Sequence, residues 1–161
     1  MSANLKKVDH AALRTNQAVI IALSIAAYIA DAIWLAAFVG LVMFIGTVRN
    51  IPAFGFVYKR VLEPRGWAQP DIIPDNPEPH RFAQGFGSVV MIGGTLALSA
   101  GASTIGWALV WLVIALAALN LFGGFCVGCA LYYWLNRLHT PGFTQSPPKW
   151  VIPGIRPKIG N

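Results

Sequence analysis

Between Arg14 and Arg49 the chain carries one charged residue, Asp31, and between Arg81 and Arg137 it carries none. Soluble domains are about a quarter charged, whereas here 11% of residues are charged and 56% are hydrophobic. So much uncharged apolar sequence in 161 residues exceeds what one small core can bury, and lipid is the solvent it fits. Asp31 and the turn-prone "GAST" at 101–104 cut it into four runs, 18–30, 32–48, 86–100 and 105–122. Each approaches the roughly 20 residues of a spanning helix once its flanks join it.

Two overlong spans would satisfy the same hydropathy, and charge placement separates the two cases. With four spans, all twelve lysines and arginines fall on one side and Asp31 on the other. With two spans, the loop from Arg49 to Arg81 would lie opposite both termini and split the positive-inside bias. The expectation is therefore an all-α integral membrane protein with four transmembrane helices, multi-pass in the cell inner (cytoplasmic) membrane, both termini cytoplasmic. The start, with Lys6, Lys7, Arg14 and a small-residue "ADA" at 30–32, imitates a signal peptide. A second apolar run follows at once, so the segment reads as retained. The net charge of +6 suits juxtamembrane flanks rather than a nucleic-acid stripe, and no nucleic-acid partner is expected.

The four spans read as two copies of one unit. "RTNQ" (14–17) opens the first hairpin and "RFAQ" (81–84) the second, with Asn50 and Asn120 at comparable distances behind. An even number of spans per unit makes the copies parallel, related by an axis along the membrane normal. Repeat one covers about 12–63 and repeat two about 79–138, within a membrane domain 1–140. After each Asn the helix is disturbed, by Pro52 or by Gly123-Gly124, and a short interfacial helix follows, near 53–63 and 126–137. The proline-rich 64–79 reads as a connector. The basic, proline-rich 141–161 reads as a tail that is mobile by default, with "KWVIP" able to dock on the bundle, a partner or headgroups.

Both cysteines fall in "FCVGC" (125–129). At a helix N-terminus a thiol in Cys-x-x-Cys spacing can fall from about 8.5 towards 7 or below, giving a thiolate in the cytosol. Cys126 is expected as the more exposed nucleophile and Cys129 as its resolver, with the dithiol as the resting form in a reducing compartment. Packing of two small hydrophobes is the plain alternative. A zinc site would need His80 and His139 to complete four ligands, and Cys-x-x-Cys alone is half of such a pattern, so no metal is assigned. Haem attachment would need His where Ala130 stands.

Arg14 and Arg81 oppose the helix dipole. They serve either as snorkelling anchors or as electrostatic support for a thiolate or an anionic thiol or sulfur substrate, with Gln17, Gln84, Asn50 and Asn120 as hydrogen-bond partners. Asp31 reads as a turn residue. Tyr132, Tyr133 and Trp134 read as an interfacial belt and secondarily as a wall for a flat ligand such as a quinone.

With "RTNQ", "RFAQGFG" and "FCVGC" together, the chain resembles a bacterial membrane family catalogued as domain of unknown function 4395, over about residues 8–140. That resemblance implies traffic in thiols or sulfane sulfur with a cytosolic thioredoxin-like or sulfurtransferase protein. The architecture is also similar to four-helix membrane thiol oxidoreductases that pass electrons from a Cys-x-x-Cys to quinone, though their pair faces outward and this one inward. The leading expectation is thiol-disulfide or sulfane-sulfur exchange at Cys126 and Cys129, requiring no cofactor and allowing quinone. The alternatives are a non-catalytic accessory subunit of a larger membrane complex and a small sulfur-anion transporter.

Overall fold

Why the chain breaks where it does is visible at its helix ends. The computed structural model describes residues 6–147 and 152–156. Strand β1 (Lys6–Asp9) leads into α1 (His10–Ile29), whose N-cap Asp9 accepts from the Ala11 N–H at 2.9 Å. Asp31 adopts a positive φ of 48° in the turn that starts α2 (Ile33–Val48), the turn role expected of it. Asn50, at φ 58°, ends that helix, and beyond Pro52 come a short turn α3 (Gly55–Val57) and a π-helical turn, Tyr58–Leu62. Strand β2 (Ile72–Asp75) precedes α4 (Pro77–Ser99), which begins on two prolines that need no N–H there. A turn at Gly101 leads to α5 (Ser103–Gly123), and α6 (Val127–Arg137) follows the left-handed cap at Gly124.

Helices α1 and α2 form one hairpin and α4 and α5 the other; α1 also packs on α5, and α2 on α4. The four make a closed ring. Helices α1, α4 and α5 are long and apolar enough to cross a membrane, while α2, at 16 residues, is shorter. Burial is distributed as lipid demands. Ser24, Ser88, Ala27, Ala36 and Gly40 are buried between helices, whereas Ile29, Trp34, Leu41, Val89, Leu96, Ile105 and Phe122 face outward. The chain is a predominantly helical membrane protein. At Gly106 a Cβ would stand 2.8 Å from the Gly94 carbonyl oxygen, so α4 and α5 touch backbone to backbone.

The connector 64–79 contains structure that its composition does not announce. Its β2 pairs antiparallel with β1, Lys6 opposite Asp75 and Asp9 opposite Ile72, and ties the starts of α1 and α4 together. The break after α2 is held by a polar clasp. Gln84 accepts from the Ala53 N–H (3.1 Å) and donates towards Met43 O, Ile51 O and Thr47 Oγ1, while Asn16 accepts from the Phe54 N–H at 2.7 Å. Backbone groups freed by Pro52 are thereby satisfied inside the bundle end.

Candidate functional site

The Gly124 turn reverses the chain so that Cys126 becomes the N-cap of α6, its Sγ accepting from the Cys129 N–H at 3.1 Å. Cys126 and Cys129 are joined as a disulfide, with Cα atoms 5.2 Å apart. Both residues are buried, so Cys126, expected as the more exposed of the two, is only slightly more so than Cys129, at 7% against 4%. The residue between them explains their position. A Cβ on Gly128 would lie 2.5 Å from Ala83 Cβ, so only glycine lets α6 press onto α4 here.

That contact brings Cys129 Sγ to 3.5 Å from His80 Nδ1. The other ring nitrogen of His80, Nε2, lies 2.9 Å from Asp75 Oδ2, and His10 Nε2 lies 3.2 Å from the same oxygen. Asp75 is buried at the end of β2, with Oδ1 accepting from the Asn76 N–H at 2.7 Å. Burial pushes its carboxyl up, but the two imidazoles and the Asn76 N–H outweigh this and hold it well below the usual carboxylate range. An ionised carboxylate only accepts, so His80 Nε2 carries a hydrogen, and in the neutral ring Nδ1 then presents its lone pair to the sulfur. Carboxylate, imidazole and sulfur stand in line. The His10 and His80 rings meet edge to face, 5.6 Å between centroids.

A small cavity, about 30 Å³, opens beside the disulfide and is lined by Arg14, Gln17, Asn120, Tyr133 and both histidines. A second, about 110 Å³, lies on the other side of Cys126 between Ile20, Met43, Phe86 and Val113. Of the residues singled out in the sequence, Arg14, Gln17 and Asn120 thus gather with Cys126 and Cys129. Gln84 lines the second cavity but is engaged in the clasp; Arg81 is exposed and donates from Nε to Thr47 O at 3.0 Å; Asn50 is an exposed turn residue. His139 lies in the turn after α6, outside the cluster. Tyr132 and Tyr133 are buried and only Trp134 of that trio faces out; the Tyr132 hydroxyl donates to Glu78 at 2.7 Å. Asp75 and His10 were not candidates from the sequence, and His80 was only a metal alternative. Their convergence depends on the β1–β2 pairing.

Part of the tail also belongs to the site. Residues 152–156 run along the backbone that leads into α6: the Cys126 N–H donates to Gly154 O (2.8 Å), the Arg156 N–H donates to Gly124 O (2.9 Å), and Phe125 pairs with Ile155 as a β-bridge. The Arg156 guanidinium pairs with Asp71. Gly154, at φ 86°, sits where a Cβ would be 2.8 Å from Ala130 Cβ and 3.0 Å from Cys126 O. The default expectation of a mobile tail does not hold for these five residues, because their backbone completes the first turn of α6. Residues 149–151 of "KWVIP" lie outside the described residues.

A membrane bundle with a buried Cys-x-x-Cys, faced by a carboxylate-oriented histidine at one of its ends, is the class that fold and site define. The chain belongs to the family described as domain of unknown function (DUF4395), whose profile matches residues 8–137. The strap at 152–156 lies beyond that match. No curated protein and no solved structure gives a match to the chain.

Proposed function

We propose that this protein carries out thiol-disulfide exchange between its Cys126/Cys129 pair and a cytosolic thiol protein, from a four-span bundle in the inner membrane with both termini cytoplasmic. The observation that carries the reading is the line from Asp75 through His80 to Cys129. A pair that merely packs needs no oriented base, and here one is held by a buried carboxylate. Duplication of the hairpin is supported by the two Arg-x-x-Gln openings, by the reciprocal contacts of α1 with α5 and of α2 with α4, and by the β1–β2 pairing. Sidedness follows from the basic residues flanking the end of the bundle that bears the sulfurs.

In the reduced protein the Cys126 thiolate, stabilised by the Cys129 N–H, attacks one sulfur of a partner disulfide; the partner's other sulfur leaves as a thiolate and is protonated by water. His80 Nδ1 then takes the Cys129 proton, and the Cys129 thiolate attacks Cys126 Sγ. The internal disulfide forms, the partner's first sulfur leaves, and His80 supplies its proton. Two electrons pass to the partner, which ends as a dithiol. The reverse sequence oxidises a partner dithiol. Arg14, beside the cavity, favours the anionic sulfurs of either direction.

The test is capture. Cys129→Ser leaves Cys126 unable to resolve, so a mixed disulfide with the physiological partner should accumulate and be recovered from cells by affinity purification under non-reducing conditions. Absence of any adduct, together with a wild-type phenotype for the double serine variant, would favour the accessory-subunit reading instead.

A further inference from the structure

We infer that the reduced protein holds a thiolate-preferring divalent cation, Zn²⁺ or Cd²⁺, on Cys126 Sγ, Cys129 Sγ and His80 Nδ1, and that closing the disulfide expels it. The three donor atoms lie within 4.8 Å of one another. Tetrahedral zinc with Zn–S near 2.3 Å and Zn–N near 2.0–2.1 Å sets its ligands about 3.5–3.8 Å apart. His80 Nδ1 is already 3.5 Å from Cys129 Sγ, and reduction frees the two sulfurs to separate by side-chain rotation.

The surroundings are those of a metal-ligating histidine rather than of a simple packing contact. Asp75 accepts from His80 Nε2 at 2.9 Å, which fixes the ring and leaves Nδ1 as the donor atom, and the Asn76 N–H holds Asp75 in turn. The Cys129 N–H already points at Cys126 Sγ and would offset thiolate charge. Charge also closes: two thiolates and a neutral imidazole balance a dication, and an anionic fourth ligand would be met by Arg14 at the cavity. That cavity, about 30 Å³, has room for one water as the fourth ligand. Loading releases the proton still held by Cys129. Oxidation by a partner disulfide takes two electrons from the sulfurs, reduces the partner to a dithiol, and leaves no thiolate to hold the cation.

The inference goes beyond exchange and stands independently of it, because exchange can be measured with a chelator present. The full chain, purified in detergent and reduced, is titrated with Cd²⁺ alone while thiolate-to-cadmium absorption in the near ultraviolet is followed. One Cd²⁺ per reduced chain is expected, with none bound by the oxidised chain. Asp75→Asn should weaken binding about 10- to 100-fold, and His80→Ala at least as much, in protein that still forms its disulfide on oxidation. Cadmium NMR of the wild type gives a readout independent of variant folding, a two-sulfur, one-nitrogen shift. No absorption from a reduced chain whose two thiols titrate, binding by the oxidised chain, or unchanged affinity in both variants would overturn the assignment.

Discussion

The hydrogen bond from His80 Nε2 to the buried Asp75 carboxylate fixes that ring, and the chemistry of Cys129 depends on that constraint. His80→Ala removes the only base facing the resolving sulfur among the described residues. Closure of the disulfide from a mixed-disulfide intermediate should slow by about 10²- to 10⁴-fold, read by rapid quench and alkylation, with first attack by Cys126 much less affected. A loss confined to first attack would contradict the assignment of roles. Gln84 makes a different demand. Gln84→Leu strands the Ala53 N–H and the Ile51 carbonyl of the break, and should lower stability in detergent by about 1–3 kcal/mol without changing thiol reactivity once folded. The cysteines were legible as a motif because their partner is three residues away. Asp75 and His80 were not, since 49 residues separate His80 from Cys129, and no local pattern distinguishes a histidine that will meet a sulfur from one that will not. Gln84 was read as a ligand for substrate because an Arg-x-x-Gln turn does not reveal that its amide faces a proline break on another helix.

Elements set what these residues can reach. Helix α6 meets α4 through Gly128 against Ala83, so Gly128→Ala must push the two apart. An overpacking cost of about 1–3 kcal/mol is expected, with loss of the His80–sulfur contact, and Ala83→Gly should recover part of both in thermal unfolding and exchange assays. The strap at 152–156 runs along the backbone that leads into α6. Gly154→Val meets Ala130 and Cys126 O and demands an unfavourable positive φ. Reduction of the disulfide by a small thiol should become several-fold faster while helical circular dichroism stays the same, and Asp71→Asn should act in the same direction by freeing Arg156. An unchanged rate in both variants would show that the strap does not limit access. The long helices were readable from hydropathy, since lipid imposes length and exclusion of charge on each segment separately. The β1–β2 pair and the strap were not. Four-residue strands have too little periodicity to register, and both features owe their order to contacts far along the chain.

For the molecule as a whole, the proposed topology puts the Asp31 and Gly101 turns on the face opposite the sulfurs. Reporters active only in the cytoplasm should be silent when inserted at either turn and active when inserted near Gly66. The converse result would turn the site outward and remove the cytosolic partner. The cluster at the sulfurs draws on both halves of the chain. His10 comes from the first, His80 and the cysteines from the second, and Asp75 from the strand between them. Sulfur reactivity is therefore sensitive to assembly: after a cut in the 63–70 loop the second fragment keeps Asp75, His80 and both cysteines but loses β1 and His10, so its thiol should react more slowly alone and gain speed when the first fragment is produced with it in the bilayer.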